Sequence, residues 1–250
     1  MTKFSDHFSN QAKTYSSVRP TYPRKLFEFL VSHVQTPHRA WDAATGNGQA
    51  AIDLANYFDE VLASDASQKQ IDHAQPHSKI KYSVHPSENT PYPHASFDMV
   101  TVAQALHWFK HEAFFGEVKR VLKPGGIFAA WCYERQQTTD AAINAILKTY
   151  TYDIVGSFWP AEINFVWEKY KTIAMPFAEI SAPEFSIVLK WTLQNFKDYL
   201  MSWSATQLFI EKHGKNPLDL IATDLDRAWP HPNHPIEMNW NIFLKVGRHV

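Results

Sequence analysis

The sequence has a single cysteine, Cys132, among its 250 residues. One thiol closes no disulfide within the chain and builds no thiolate metal cluster. It also gives no reason to expect an oxidising compartment. Nowhere does the chain approach the roughly 18 uninterrupted apolar residues that a membrane span requires. The opening stretch, MTKFSDHFSNQAKTYSS, is polar and lacks an apolar signal core. Charge of one sign is not in excess, with a formal net charge of -1. That balance supplies no electrostatic draw toward nucleic acid or an anionic membrane. Repeats and low-complexity tracts are missing too. Together these absences lead us to expect a cytoplasmic protein with neither nucleic acid nor membrane as partner.

What is present is ordinary for a folded chain: 45% hydrophobic and 20% charged residues, in a length that suits one large domain. Leu26, Phe27, Leu30, Val31 and Val34 recur at helical spacing between Pro23 and Pro37, so RKLFEFLVSHV is read as a helix. A short strand around Ala40 and Trp41 reaches Asp42. A helix follows from about Gln49 to Phe58, then the strand EVLASD, and then a helix starting near Ser67, a good N-cap residue. KIKYSVH and FDMVTVAQ read as strands. HEAFFGEVKRVL reads as a helix stopped by Pro124, Gly125 and Gly126, and GIFAAWCY as a fifth strand. The alternation predicts an α/β fold with a doubly wound, mostly parallel sheet, helices covering both faces. Such sheets bind ligands at the carboxyl ends of their strands. After Tyr133 the rhythm breaks. Residues 135–183 look helical and aromatic, EFSIVLKW reads as a strand, FKDYLMSW as a helix, and NWNIFLKVG as the last strand.

The chemistry concentrates in AWDAATGNGQAA, which joins a strand to a helix. Gly46 and Gly48 remove side chains where the chain must turn and a ligand must approach the backbone. Asp65 ends the next strand, where an acidic side chain can accept both hydroxyls of a ribose. Gly46, Gly48 and Ala51 also satisfy the G-x-G-x-x-A form of the dinucleotide fingerprint. Asp42 separates the two readings. An acidic residue ahead of the glycines suits a ligand with an ammonium and no phosphate, as in S-adenosylmethionine.

In this order the motifs resemble those of class I S-adenosylmethionine-dependent methyltransferases (methyltransferase type 11). They are similar in particular to those of the trans-aconitate methyltransferase-like small-molecule branch. DAATGNG stands for the family's D-x-G-x-G-x-G, with Ala44 in place of the first glycine. Asp65 stands at the acidic end of the second strand. QALHWF and EVKRVLKPGG match the signatures after the fourth strand, and FSNQAKTYSSVRPTYP matches the N-terminal pattern.

The resemblance implies a seven-stranded Rossmann-like sheet with a helical, aromatic-rich cap after the fifth strand. It divides one domain, 1–250, into an N-terminal lid (1–22), a cofactor-binding core (23–134), a substrate cap with a late strand (135–235) and a last strand (236–250). It implies S-adenosylmethionine as cofactor, S-adenosylhomocysteine as product, and no metal. The implied cofactor residues are Tyr15, Arg19, Asp42, Ala44, Gly46, Gly48, Asp65, Ala66, Ser87, Glu88, Gln104 and Ala105. His107 is the candidate base or substrate contact, at the ligand end of the fourth strand. The expected partner is a small-molecule acceptor methylated on a carboxylate or hydroxyl oxygen, and the expected state a monomer or homodimer. A non-catalytic S-adenosylmethionine-binding protein and a nicotinamide-dependent oxidoreductase are the alternatives.

Overall fold

Helix α1, Arg24–Ser32, forms where Leu26, Phe27 and Leu30 line one face, and all three are fully buried. Pro23 stands just ahead of it, where its missing N–H costs no hydrogen bond. These coordinates are a computed structural model, and residues 20–250 are described. The lid expected over 1–22 falls almost wholly outside that range, as do Tyr15 and Arg19.

The chain then alternates through β1 (Arg39–Ala43), α2 (Gln49–Leu54), β2 (Glu60–Asp65), α3 (Gln68–Asp72), β3 (Ile80–Val84), β4 (Phe97–Ala103), α4 (His111–Val121) and β5 (Leu122–Tyr133). Ser67 caps α3, its hydroxyl accepting from the Gln70 amide. α2 is shorter than the sequence suggested, ending at Leu54 rather than Phe58. Strand β5 starts directly after Val121, so the Pro124-Gly125-Gly126 stretch lies inside it rather than in a loop. Gly125 sits there at φ 79°, and pairing with β4 shifts register between Phe97 and Met99.

The order across the sheet is β3-β2-β1-β4-β5, followed by the strand Ile236–Arg248, and β1 to β5 run parallel. The chain winds outward from β1 in both directions, so the switch point falls between β1 and β4. β5 shows how both faces are filled. Ile127, Ala129, Trp131 and Tyr133 join one apolar cluster, and Phe128, Ala130 and Cys132 join the other. A strand covered on both sides reads as continuous apolar sequence, which FAAWCY does.

Past Tyr133 come α5 (Ala141–Thr149), a π-helical turn (Tyr150–Ile154), α6 (Ile163–Trp167), β6 (Ala178–Glu179), β7 (Phe185–Trp191), α7 (Leu193–Met201), α8 (Ser204–His213), α9 (Ala222–Ala228) and β8 (Ile236–Arg248). β8 spans 13 residues. Its second half pairs antiparallel with β5, and its first half pairs antiparallel with β7. Seven strands of full length and the two-residue β6 thus make the sheet, as the α/β reading expected. No helix among the described residues is long and apolar enough to cross a membrane.

Candidate active site

The turn after β1 is built around a fully buried carboxylate. Asp42 accepts from the Thr45 hydroxyl at 2.5 Å and from the Thr101 hydroxyl on β4 at 2.8 Å. Burial pushes its carboxyl up to about 6 despite those two bonds, and the charge of Asp65 adds to the rise. Asp65, at the end of β2, holds the same turn from the other side. One oxygen accepts from the Gly46 amide and the other from the Ser67 amide, each at 2.9 Å. The two aspartates singled out in the sequence thus brace one loop.

The small residues of that loop serve different ends. At Gly46, φ 58°, a Cβ would meet Gln70 Oε1 at 3.9 Å, an ordinary van der Waals contact. Gly48, at φ 90°, would collide with the phenol of Tyr82 on β3. Its glycine is demanded by Tyr82 as well as by its own left-handed backbone. Ala44 adopts φ 51°, the region its Cβ disfavours and the family's usual glycine accepts freely.

Further along the strand ends, Ala66 is exposed beside Asp65. Ser87 is buried, and Glu88 accepts from the Lys110 amide at 3.2 Å, capping the start of α4. Gln104 also takes a positive φ, 57°. Its amide group donates to the Tyr133 carbonyl and accepts from the Tyr133 amide, both at 3.1 Å. Ala105 is buried behind it.

The QALHWF segment turns as a short 3-10 helix, Leu106–Trp108. His107 is buried there, and its Nδ1 lies 2.9 Å from the Tyr170 hydroxyl. Burial, helped by nearby His111, presses the imidazole down to about 3. His107 is therefore neutral at any working pH and a weak proton acceptor. That lowered basicity favours a contact role for His107 over the base role. Cys132 is fully buried and its thiol is pushed up by burial, as for an inert core cysteine.

A cleft opens at the carboxyl ends of β4 and β5. Gln104, His107, Trp108, Tyr133, Glu134 and Arg135 line it from the ends of those strands. Thr151, Trp159, Pro160, Ile163, Val166, Trp167, Tyr199, Trp203 and Ser204, all from the chain after β5, complete the lining. The site residues read from sequence thus separate into two groups. Asp42, Gly46, Asp65 and Ala66 surround the β1–β2 ends, while Gln104 and His107 belong to the aromatic cleft. Sequence reading missed Tyr170 and Tyr82, which lie in no motif and act only through the fold. Among the described residues, no three or more His, Cys, Asp or Glu side chains gather in a metal-holding group.

Comparison with known proteins bears on the family and the fold. The family profile described as a methyltransferase domain matches residues 41–130. A Dictyostelium discoideum protein named as a methyltransferase is 31% identical over 99% of this chain and 96% of its own length. A Saccharomyces cerevisiae protein named as an S-adenosylmethionine-dependent methyltransferase is 27% identical over 94% of each chain. A solved structure from Anaeromyxobacter dehalogenans, named as a type II methyltransferase, superposes with a TM-score of 0.86 at 36% identity, covering 93% of this chain and 98% of its own. With the fold, the motif order and relatives that span nearly the whole chain in agreement, the protein belongs to the S-adenosylmethionine-dependent methyltransferase family.

Proposed function

We propose that this enzyme methylates an oxygen of a small-molecule acceptor held in the aromatic cleft between β4 and the helices that follow β5. The observation that carries the reading is the cleft itself. It is a small space at the strand ends, lined by four tryptophans and a few polar groups. In this reading residues 135–235 act as the substrate cap, and the N-terminal segment with Tyr15 and Arg19 as a lid. The motif order supports the trans-aconitate methyltransferase-like branch.

The residues of the β1–β2 ends fit the cofactor by their chemistry. When bound, S-adenosylmethionine supplies a methyl group already activated on a sulfonium. Gly46, with no side chain, lets a ligand approach the backbone, and exposed Ala66 offers an apolar surface beside Asp65. A carboxylate carries about four acceptor positions, so Asp65 can bind ribose hydroxyls while keeping its amides. Ser87 and Glu88 border the adenine side, and Gln104 and Ala105 the sulfonium side. Asp42 is too buried to act by contact. It fixes Thr45 and turns a negative field toward the cationic end of the cofactor.

His107 works as a hydrogen-bond contact rather than a base. The phenol of Tyr170 is held protonated by burial, with backbone amides at Leu106 and His107 acting on its oxygen. Its hydrogen is then directed to Nδ1, which leaves Nε2 of His107 carrying the N–H. That N–H can orient an acceptor oxygen without removing its proton. A carboxylate acceptor needs no base, and positioning with exclusion of water supplies the catalysis.

The test is transfer of labelled methyl from S-adenosylmethionine into a panel of carboxylates and alcohols. Label that is lost on mild alkaline treatment marks an ester, and label that survives marks an ether. Failure to bind S-adenosylhomocysteine, or binding without transfer to any oxygen acceptor, would count against the reading.

A further inference from the structure

Arg135 is the one Lys or Arg side chain among the described residues that lines the cleft. It lies just after strand β5. Its Nη1 is buried and has no hydrogen-bond partner. No carboxylate lies within ion-pair distance of it among the described residues, not even Glu134, its neighbour on the cleft wall. What holds the guanidinium in place is a ring: its centre sits 5.1 Å from the centroid of Tyr152. Tyr152 belongs to the π-helical turn Tyr150–Ile154 and packs edge-on against Trp167, itself a cleft residue. A π-helical turn is a rare backbone feature that gathers at functional sites. Here it does two things. It places Thr151 on the cleft wall and Tyr152 under the guanidinium.

An arginine fixed in position by an aromatic ring, with a buried N–H left unpaired, is costly unless something accepts that bond. We infer that Arg135 is the specificity residue for a carboxylate on the acceptor, gripping it while the tryptophan walls enclose its apolar body. This rests on the proposed methyl transfer in the same cleft and names the class of acceptor. The planar guanidinium fork matches a carboxylate. Glu134, lining the same cleft, disfavours the higher charge of a phosphate dianion and so favours the monoanion. Trp159, just after the 3-10 turn Gly156–Phe158, and Trp203, just ahead of α8, line the cleft for the body of the acceptor, and no second Lys or Arg lines it among the described residues.

The experiment uses phenylacetate and its neutral isostere phenylacetamide as probes. Their binding to the full chain is followed by ligand-observed NMR with S-adenosylhomocysteine present. Native protein is expected to favour the acid at least tenfold. Arg135→Gln is expected to erase that preference with S-adenosylhomocysteine affinity unchanged, and Arg135→Lys, which keeps the charge but not the fork, to retain part of it. Equal binding of acid and amide by the native protein overturns the inference, and so does a preference that survives in Arg135→Gln. If Arg135→Gln fails to fold, the native preference and the Arg135→Lys response decide alone. An Arg135-dependent acid preference in a protein that ignores S-adenosylhomocysteine would keep the anion site and sink the methyl-transfer reading. S-adenosylhomocysteine binding without acid preference would do the reverse.

Discussion

His107 and Tyr170 meet at 2.9 Å although they come from opposite sides of β5 in the chain, and both are buried. Tyr170→Phe keeps the ring and deletes the hydroxyl, which frees the imidazole to change tautomer and leaves Nδ1 unpaired. Stability is expected to fall by about 1–3 kcal/mol. Turnover is expected to fall by roughly tenfold, in line with the loss of one positioning hydrogen bond. Calorimetric affinity for S-adenosylhomocysteine should not change. A drop in that affinity alongside turnover would place the pair in the cofactor site instead.

The same pair sets a pH expectation. With its imidazole near 3, His107 does not titrate between pH 5 and 9. With cofactor held saturating, so that the Asp42 titration does not enter, the rate for a carboxylate acceptor is therefore expected to show no limb near the ordinary histidine value. A limb near 6.5 that vanishes in His107→Gln would restore His107 as a base.

Asp42 is expected to affect binding and stability in opposite directions. Its carboxyl stands at about 6 in the fold against 3.8 as reference, so the folded state holds the proton more tightly than the unfolded chain does. Its contribution to stability therefore falls as pH rises from about 4 to 6, and the cost at neutral pH is on the order of 3 kcal/mol. Asp42→Asn should remove much of that cost and raise the midpoint of thermal unfolding. Binding of the cationic cofactor should weaken, both in the variant and in native protein below pH 6. Calorimetry at pH 5 and 8, with urea unfolding of both proteins, checks the two signs together.

Ala44 offers a simpler test. Its φ of 51° costs an alanine about 1–2 kcal/mol, while glycine returns about 0.4–1 kcal/mol of that through a freer unfolded chain. Ala44→Gly is expected to gain roughly 0.5–1 kcal/mol in urea unfolding, with cofactor affinity unchanged or improved. A loss of stability would mean that the methyl group packs well enough to outweigh its backbone.

Much of the fold was legible because each element carried its own local signal. The apolar run of β4, the Ser67 cap and the helical spacing around Leu26 needed no partner to be recognised. The β1 turn was legible for the same reason, since glycines at fixed offsets from an aspartate mark a strand-to-helix ligand loop. The extra length of β5 was not legible. Its Pro124 and Gly125 signal a break, and only pairing with Phe97 across a shifted register and with Arg248 overrides it. Nor could the sequence show that Gln104 is clasped to Tyr133, or that Tyr152 sits under Arg135. Those contacts join segments with no shared motif, and the burial that gives His107 its neutrality is a property of the folded surroundings alone.

The dual pairing of β8 bears on how the chain is made. Residues 236–248 are the only link in the sheet between β5 and β7 among the described strands. During synthesis β1 to β5 can assemble as soon as they leave the ribosome, yet the exposed edge of β5 stays unclaimed until residues 236–248 have been translated. Through that interval the nascent protein displays an open, strongly apolar strand edge, the kind of surface that chaperones guard and neighbouring chains capture. Contacts this distant in sequence also make the closing step slow. Yield in a cell should therefore depend more on translation speed and chaperone supply than the finished enzyme's stability would suggest.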